Sequence, residues 1–201
     1  MKKTALIITL LLIVVVNNVS AQITIGPKVG LNMSKEYFGV KAFNETVDFK
    51  AGINVGAFGK YKINDNFDVQ TELLYSQQGH KSNIPLIDLS GTPIVNGYTI
   101  LSHYLNVPLL LKYNPINCLS IEIGPQAGFL LDSKISPDDY ADIDLDYNTV
   151  DFSLVGGVGL NIGHGLSVNA RYNHGFTETF SMTKGKNRVF QFSLTYDLLN
   201  F

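Results

Sequence analysis

The sequence predicts an all-β fold, an eight-stranded, antiparallel, up-and-down transmembrane β-barrel. Three observations carry this expectation. Downstream of residue 22, hydrophobicity alternates with a period of two almost everywhere. Short turn sequences and long connections follow one another in strict alternation. The chain also begins with an export segment.

That segment comes first. "MKK" is a short positive region, "TALIITLLLIVVV" is apolar throughout, and "NNVSA" ends in small residues before Gln22. This is the pattern of a secretory signal peptide, expected over residues 1–21 and removed on export, leaving 22–201 as a single barrel domain. The apolar run is short for a membrane-spanning helix, and no later run of 18 apolar residues exists. No cysteine follows the cleavage site, which disfavours a lipid anchor. Cys118 is the only cysteine, so no intramolecular disulfide forms.

The strands follow in order. In "TIGPKVGL" (Thr24 to Leu31), Ile25, Pro27, Val29 and Leu31 share a face. From Phe49 to Ile63 the odd positions are apolar or small and the even ones largely polar or small. The odd face stays apolar in Phe67–Tyr75, in Leu105–Tyr113 and in "IEIGPQAGF" (Ile121 to Phe129). Parity then swaps, and even positions carry the apolar face in Phe152–Ile162, Leu166–Tyr172 and Phe190–Leu198. Between strands, "NDN" (64–66), "NPIN" (114–117) and "GHG" (163–165) are tight turns. The long connections span 34–48, 82–97, 133–149 and 177–187. Such a meander suits an outer-membrane barrel with periplasmic turns and extracellular loops. A soluble barrel or sandwich would show the same period with its apolar face inward. Two features favour the membrane. The opposite face is small and polar, as a narrow lumen requires. Tyr61, Phe67, Tyr113 and Tyr196 lie on the apolar face near the turn ends, where an aromatic girdle belongs.

"YLNVPLLLKY" (Tyr104 to Tyr113) followed by "LSIEIGPQAGFLL" (Leu119 to Leu131) resembles the central hairpin of the PorT-type outer-membrane β-barrel family, typical of Bacteroidota. The export segment, the closing "FQFSLTYDL" and the length fit the same family. The resemblance implies an eight-stranded barrel in the outer membrane with no assigned activity. One namesake is associated with a protein-secretion apparatus. Many outer-membrane proteins end on an aromatic residue that the barrel-insertion machinery reads. Phe201 has the wrong parity for that role, so either the last strand stops at Leu198 or a bulge restores the alternation.

Candidate chemistry begins inside the barrel. The expected parity points Lys28, Lys60, Asp68, Glu72, Lys112, Glu122, Arg171 and Asp197 inward, four basic and four acidic groups. Buried charges need partners, so a structural ion-pair network that plugs the lumen is expected, with a proton or ion relay as the alternative. Glu122 is expected to face Lys112 or Arg171. Pro27 and Pro125 cannot donate to a ladder, which predicts a bulge or gap at each. His80 and Ser82 could serve a lipid-modifying enzyme as base and nucleophile, but no orienting carboxylate is evident and the bland reading is polar residues at a strand end. Asp142, Asp144 and Asp146 form an acidic loop face that could bind Ca²⁺, without the Gly and Glu of an EF-hand. No histidine pair has zinc spacing, and no metal or other cofactor is expected. The net charge of −2 with no basic tract argues against nucleic acid. The expected partners are outer-membrane lipids, the insertion machinery during biogenesis, and an extracellular or secretion-apparatus protein. The expected role is structural or interactive, with accessory service to a secretion or transport assembly as an alternative.

Overall fold

The computed structural model describes residues 23–38, 44–83, 86–87, 93–95, 97–136, 148–179 and 185–201. The signal segment over residues 1–21 and the Asp142–Asp144–Asp146 loop lie outside them. Eight strands build the barrel: β1 (Ile23–Tyr37), β2 (Val47–Lys62), β3 (Phe67–Ser82), β4 (Tyr98–Ile116), β5 (Leu119–Ser136), β6 (Val150–Gly163), β7 (Leu166–Glu178) and β8 (Lys186–Tyr196). Each pairs antiparallel with its neighbours in sequence, and β8 returns to pair with β1 from Lys28↔Thr195 to Tyr37↔Lys186. The sheet therefore closes. Residues 86–87 and 93–95 form a separate short ladder in the β3–β4 connection.

The apolar face is outside. Ile25, Val29, Leu31, Ile123 and Phe129 on odd positions are exposed, as are Phe152, Leu160, Phe190, Phe192 and Leu194 on even ones. The buried residues are mainly Asn, Gln, Ser, Glu and Lys. A soluble barrel would be the reverse; this one presents its apolar surface to lipid and packs its polar groups within. Phe67 and Tyr113, opposite each other on β3 and β4, bring their rings to 5.1 Å at the turn end.

The strands run longer than the hydrophobic pattern indicates, from 11 residues in β8 to 19 in β4. β1 continues to Tyr37, β5 to Ser136 and β7 to Glu178, into segments the sequence assigned to loops. About 9–11 residues suffice to cross a bilayer. Beyond that height the outward face meets water and need not be apolar, while the inward face stays buried, as at Glu36 and His80, and the backbone ladder continues.

Both proline expectations have a counterpart in the ladders. Pairing of β1 with β8 runs to Lys28↔Thr195, skips Gly26 and Pro27, and resumes at Ile25↔Leu199 with the register moved by one. Pairing of β4 with β5 passes from Pro108↔Gln126 to Leu111↔Ile123, leaving Pro125 out. On the other side of each proline the ladder is continuous, through Pro27↔Ala57 and Pro125↔Leu154. The missing N–H faces the gap in both cases. The bulge opposite Pro27 falls at Asp197–Leu198. It resolves the parity of the tail, because Phe201 then exchanges hydrogen bonds with Ile23 (2.9 and 3.2 Å) and lies on the lipid face.

Cys118, exposed in the β4–β5 turn, reports orientation. A membrane-impermeant maleimide should label it only after the outer membrane is permeabilised. Labelling in intact cells would place the short turns outside.

Candidate functional site

The lumen centres on Arg171 of β7. Register sets it beside Gly157 of β6 and Gln191 of β8. A Cβ on Gly157 would lie 2.7 Å from Arg171 Cγ and 3.1 Å from Glu122 Oε1, so this position must be small for the guanidinium to reach across. Arg171 Nη1 and Nη2 donate to Glu72 Oε2 and Oε1 at 2.8 and 2.7 Å, a two-pronged contact with β3. Arg171 Nε donates to Glu122 Oε1, and Nη2 to Glu122 Oε2 at 3.1 Å. Lys28 Nζ donates to Glu72 Oε2 at 2.9 Å from β1. Lys112 Nζ on β4 lies 3.5 Å from Glu122 Oε2 and donates to Gln70 Oε1 at 3.3 Å. Gln70 in turn donates to Glu72.

Five strands thus meet in one cluster of three cations and two carboxylates. Lys28, Glu72 and Glu122 have side chains 0% exposed, and Arg171 1%. Desolvating such groups costs several kcal/mol each, and only dense, charge-assisted hydrogen bonding offsets it. Arg171 supplies four such bonds from one planar group, which a lysine could not.

The other three inward charges stand apart. Lys60 pairs with Asp197 at 2.9 Å, both about a quarter exposed, beside the bulge near the periplasmic end. Asp68 is buried but takes part in no ion pair among the described residues; it accepts a hydrogen bond from Asn114 Nδ2 at 2.8 Å. Above the charge cluster lies an amide layer. Asn32 donates to Ser76 Oγ at 2.9 Å and accepts from Asn54 at 2.9 Å and Gln191 at 3.3 Å.

Nearer the loops, His80 Nδ1 sits 3.2 Å from Glu36 Oε2 without hydrogen-bond alignment, both residues buried. No carboxylate near His80 is evident in the sequence; the structure supplies one. Glu36 was hidden because residues 34–48 read as a connection, whereas β1 carries inward-facing even positions up to it. Its signal is that same parity, extended two residues past Ser34. His80 and Ser82 are 2% and 3% exposed and face the lumen, away from bilayer lipid.

The sequence matches the family described as "Outer membrane protein beta-barrel domain" over residues 17–181. The chain belongs to this family. It is an integral outer-membrane barrel, and the fold extends past the matched segment because β8 closes it. Among solved structures, Neisserial surface protein A is similar with a TM-score of 0.56 at 9% identity, covering 87% of this chain and 97% of that one. The Yersinia pestis attachment invasion locus protein Ail, solved in complex with the heparin analogue sucrose octasulfate, gives 0.49 at 11% identity, covering 91% and 100%. OprG from Pseudomonas aeruginosa gives 0.47 at 14% identity, covering 90% and 95%. No curated protein matches the chain.

Proposed function

We propose that this outer-membrane barrel is a non-catalytic structural and interaction protein of the PorT type, from a Bacteroidota-like lineage, exported by a cleaved signal peptide over residues 1–21. Its lumen is a plug and its working surfaces are its loops and its exterior. The observation that carries this reading is the cluster of Arg171, Glu72, Glu122 and Lys28, which holds fully buried charges in the middle of the barrel. An eight-stranded barrel has room for side chains but no channel, and here that room is taken by a mutually paired set. Function then falls to what the outside presents. The partners are outer-membrane lipids, the insertion machinery during biogenesis, and an extracellular or secretion-apparatus protein. The resemblance of the β4–β5 hairpin to the PorT type supports the last of these.

Planar-bilayer recording tests the plug. The folded, full-length barrel should show no stable conductance steps. Large, sustained steps would overturn the reading.

A further inference from the structure

We propose that the barrel exterior across β1, β2, β7 and β8 is a binding site for a phosphorylated lipid of the outer leaflet. Lys35 and Arg188 would hold the phosphate, and a crease below them an acyl chain.

The argument starts from two cations. Lys35 on β1 and Arg188 on β8 are direct partners across the seam that closes the barrel. Both stand on the outward parity at the loop end. Like charges directly opposite on a sheet repel. Among the described residues no carboxylate forms an ion pair with either. Among the described residues their partners carry no negative charge. Lys35 Nζ donates to the Asn44 carbonyl at 2.8 Å, and Arg188 Nη1 lies against His174 Nδ1 and 3.4 Å from the Tyr172 hydroxyl. The cationic heads are held in place by rings. Lys35 Nζ is 5.6 Å from the Tyr37 centroid and 5.7 Å from that of Phe49, and Arg188 is 5.7 Å from Tyr37. Tyr37, Phe49, Tyr172, Arg188 and Phe190 together line an open cleft of about 450 Å³.

A second cleft lies directly beneath it. Leu31 and Phe192 pair four residues below Lys35 and Arg188, about 13 Å down the strands. Around them Val29, Ile53, Val55 and Leu194 line an apolar crease of about 420 Å³ on the same seam. A cationic, aromatic cleft at the membrane surface above an apolar crease within the bilayer has the shape and polarity of one amphiphile. Its head must be anionic, to relieve the Lys35–Arg188 repulsion, and its tail an acyl chain. Outer-leaflet lipids bearing phosphate on a sugar head supply both.

The test uses the full chain refolded in phosphatidylcholine nanodiscs, with folding checked by heat-modifiable migration. Diphosphoryl lipid A and its dephosphorylated form are titrated in, and occupancy is read by native mass spectrometry. The wild type should prefer the phosphorylated lipid at least tenfold. Lys35→Gln with Arg188→Gln should abolish that preference, while Lys134→Gln, a rim lysine elsewhere, should keep it. Ile53→Trp, which fills the crease, should weaken both lipids several-fold alike. A wild type without phosphate preference, or a folded double variant that retains it, overturns the proposal. So does Lys35→Cys, made together with Cys118→Ser, cross-linking into lipid-independent dimers, which would make a second copy the occupant.

Discussion

Glu72→Gln should destabilise the barrel by about 3–5 kcal/mol, the cost of leaving a buried charge without its partner. Arg171→Met should cost less, about 1–3 kcal/mol for lost hydrogen bonds. The order is the informative part, because Arg171 makes more of the contacts. The central cluster holds Lys28, Lys112 and Arg171 against Glu72 and Glu122, an excess of one positive charge. Removing Arg171 leaves two pairs already near each other, Lys28 with Glu72 at 2.9 Å and Lys112 with Glu122 at 3.5 Å. Neutralising Glu72 leaves three cations around one carboxylate, with side chains only 0–11% exposed. Paired urea titrations of refolding in the same lipid would read both values. Arg171→Met proving the more damaging would show that hydrogen-bond geometry, rather than charge balance, governs the plug.

Gly124→Ala and Gly26→Ala should each cost about 3 kcal/mol or more, at or beyond the usual range for overpacking. A Cβ on Gly124 would fall 1.9 Å from the Leu109 carbonyl oxygen, and one on Gly26 1.8 Å from that of Tyr196. Both obstacles are backbone of the neighbouring strand, so relief requires the strands to part beside the very gaps that Pro27 and Pro125 already make. The proline is not the cause of the approach. Gly56, followed by Ala57, comes as near to the Leu73 carbonyl, as befits glycine kinks in a tightly curved sheet. Gly156→Ala is the matched control, because nothing lies within 4 Å of its added Cβ. It should stay within about 0.5 kcal/mol of the wild type. Equal losses at Gly124 and Gly156 would refute the steric account.

Residues 25–30 (IGPKVG) and 123–128 (IGPQAG) share the pattern IGPxxG, and there sequence and structure divide the explanation. Parity alone placed Pro27 and Pro125 toward lipid and Gly26 and Gly124 inward. It also required each missing N–H to disturb a ladder. Which ladder would break was invisible in the sequence. That depends on the alternation of hydrogen-bonded and free edges, which register settles only when the neighbour is in place. The bulge at Asp197–Leu198 has the same origin.

Period-two alternation by itself determined the strand number and the inward facing of eight charges, though not of Glu36, because side-chain direction in a recognised strand is a local property of the pleat. Only the closed structure decided which inward charges meet. Arg171 and Glu72 are 99 residues apart, and Lys60 and Asp197 are 137 apart. No local pattern relates them; barrel curvature and stagger bring them across the lumen or across the seam. The same closure left Asp68 with an amide, set Glu36 against His80, and put Lys35 beside Arg188 on the outside. Facing is encoded residue by residue, whereas partnership is a property of the shape the whole chain makes.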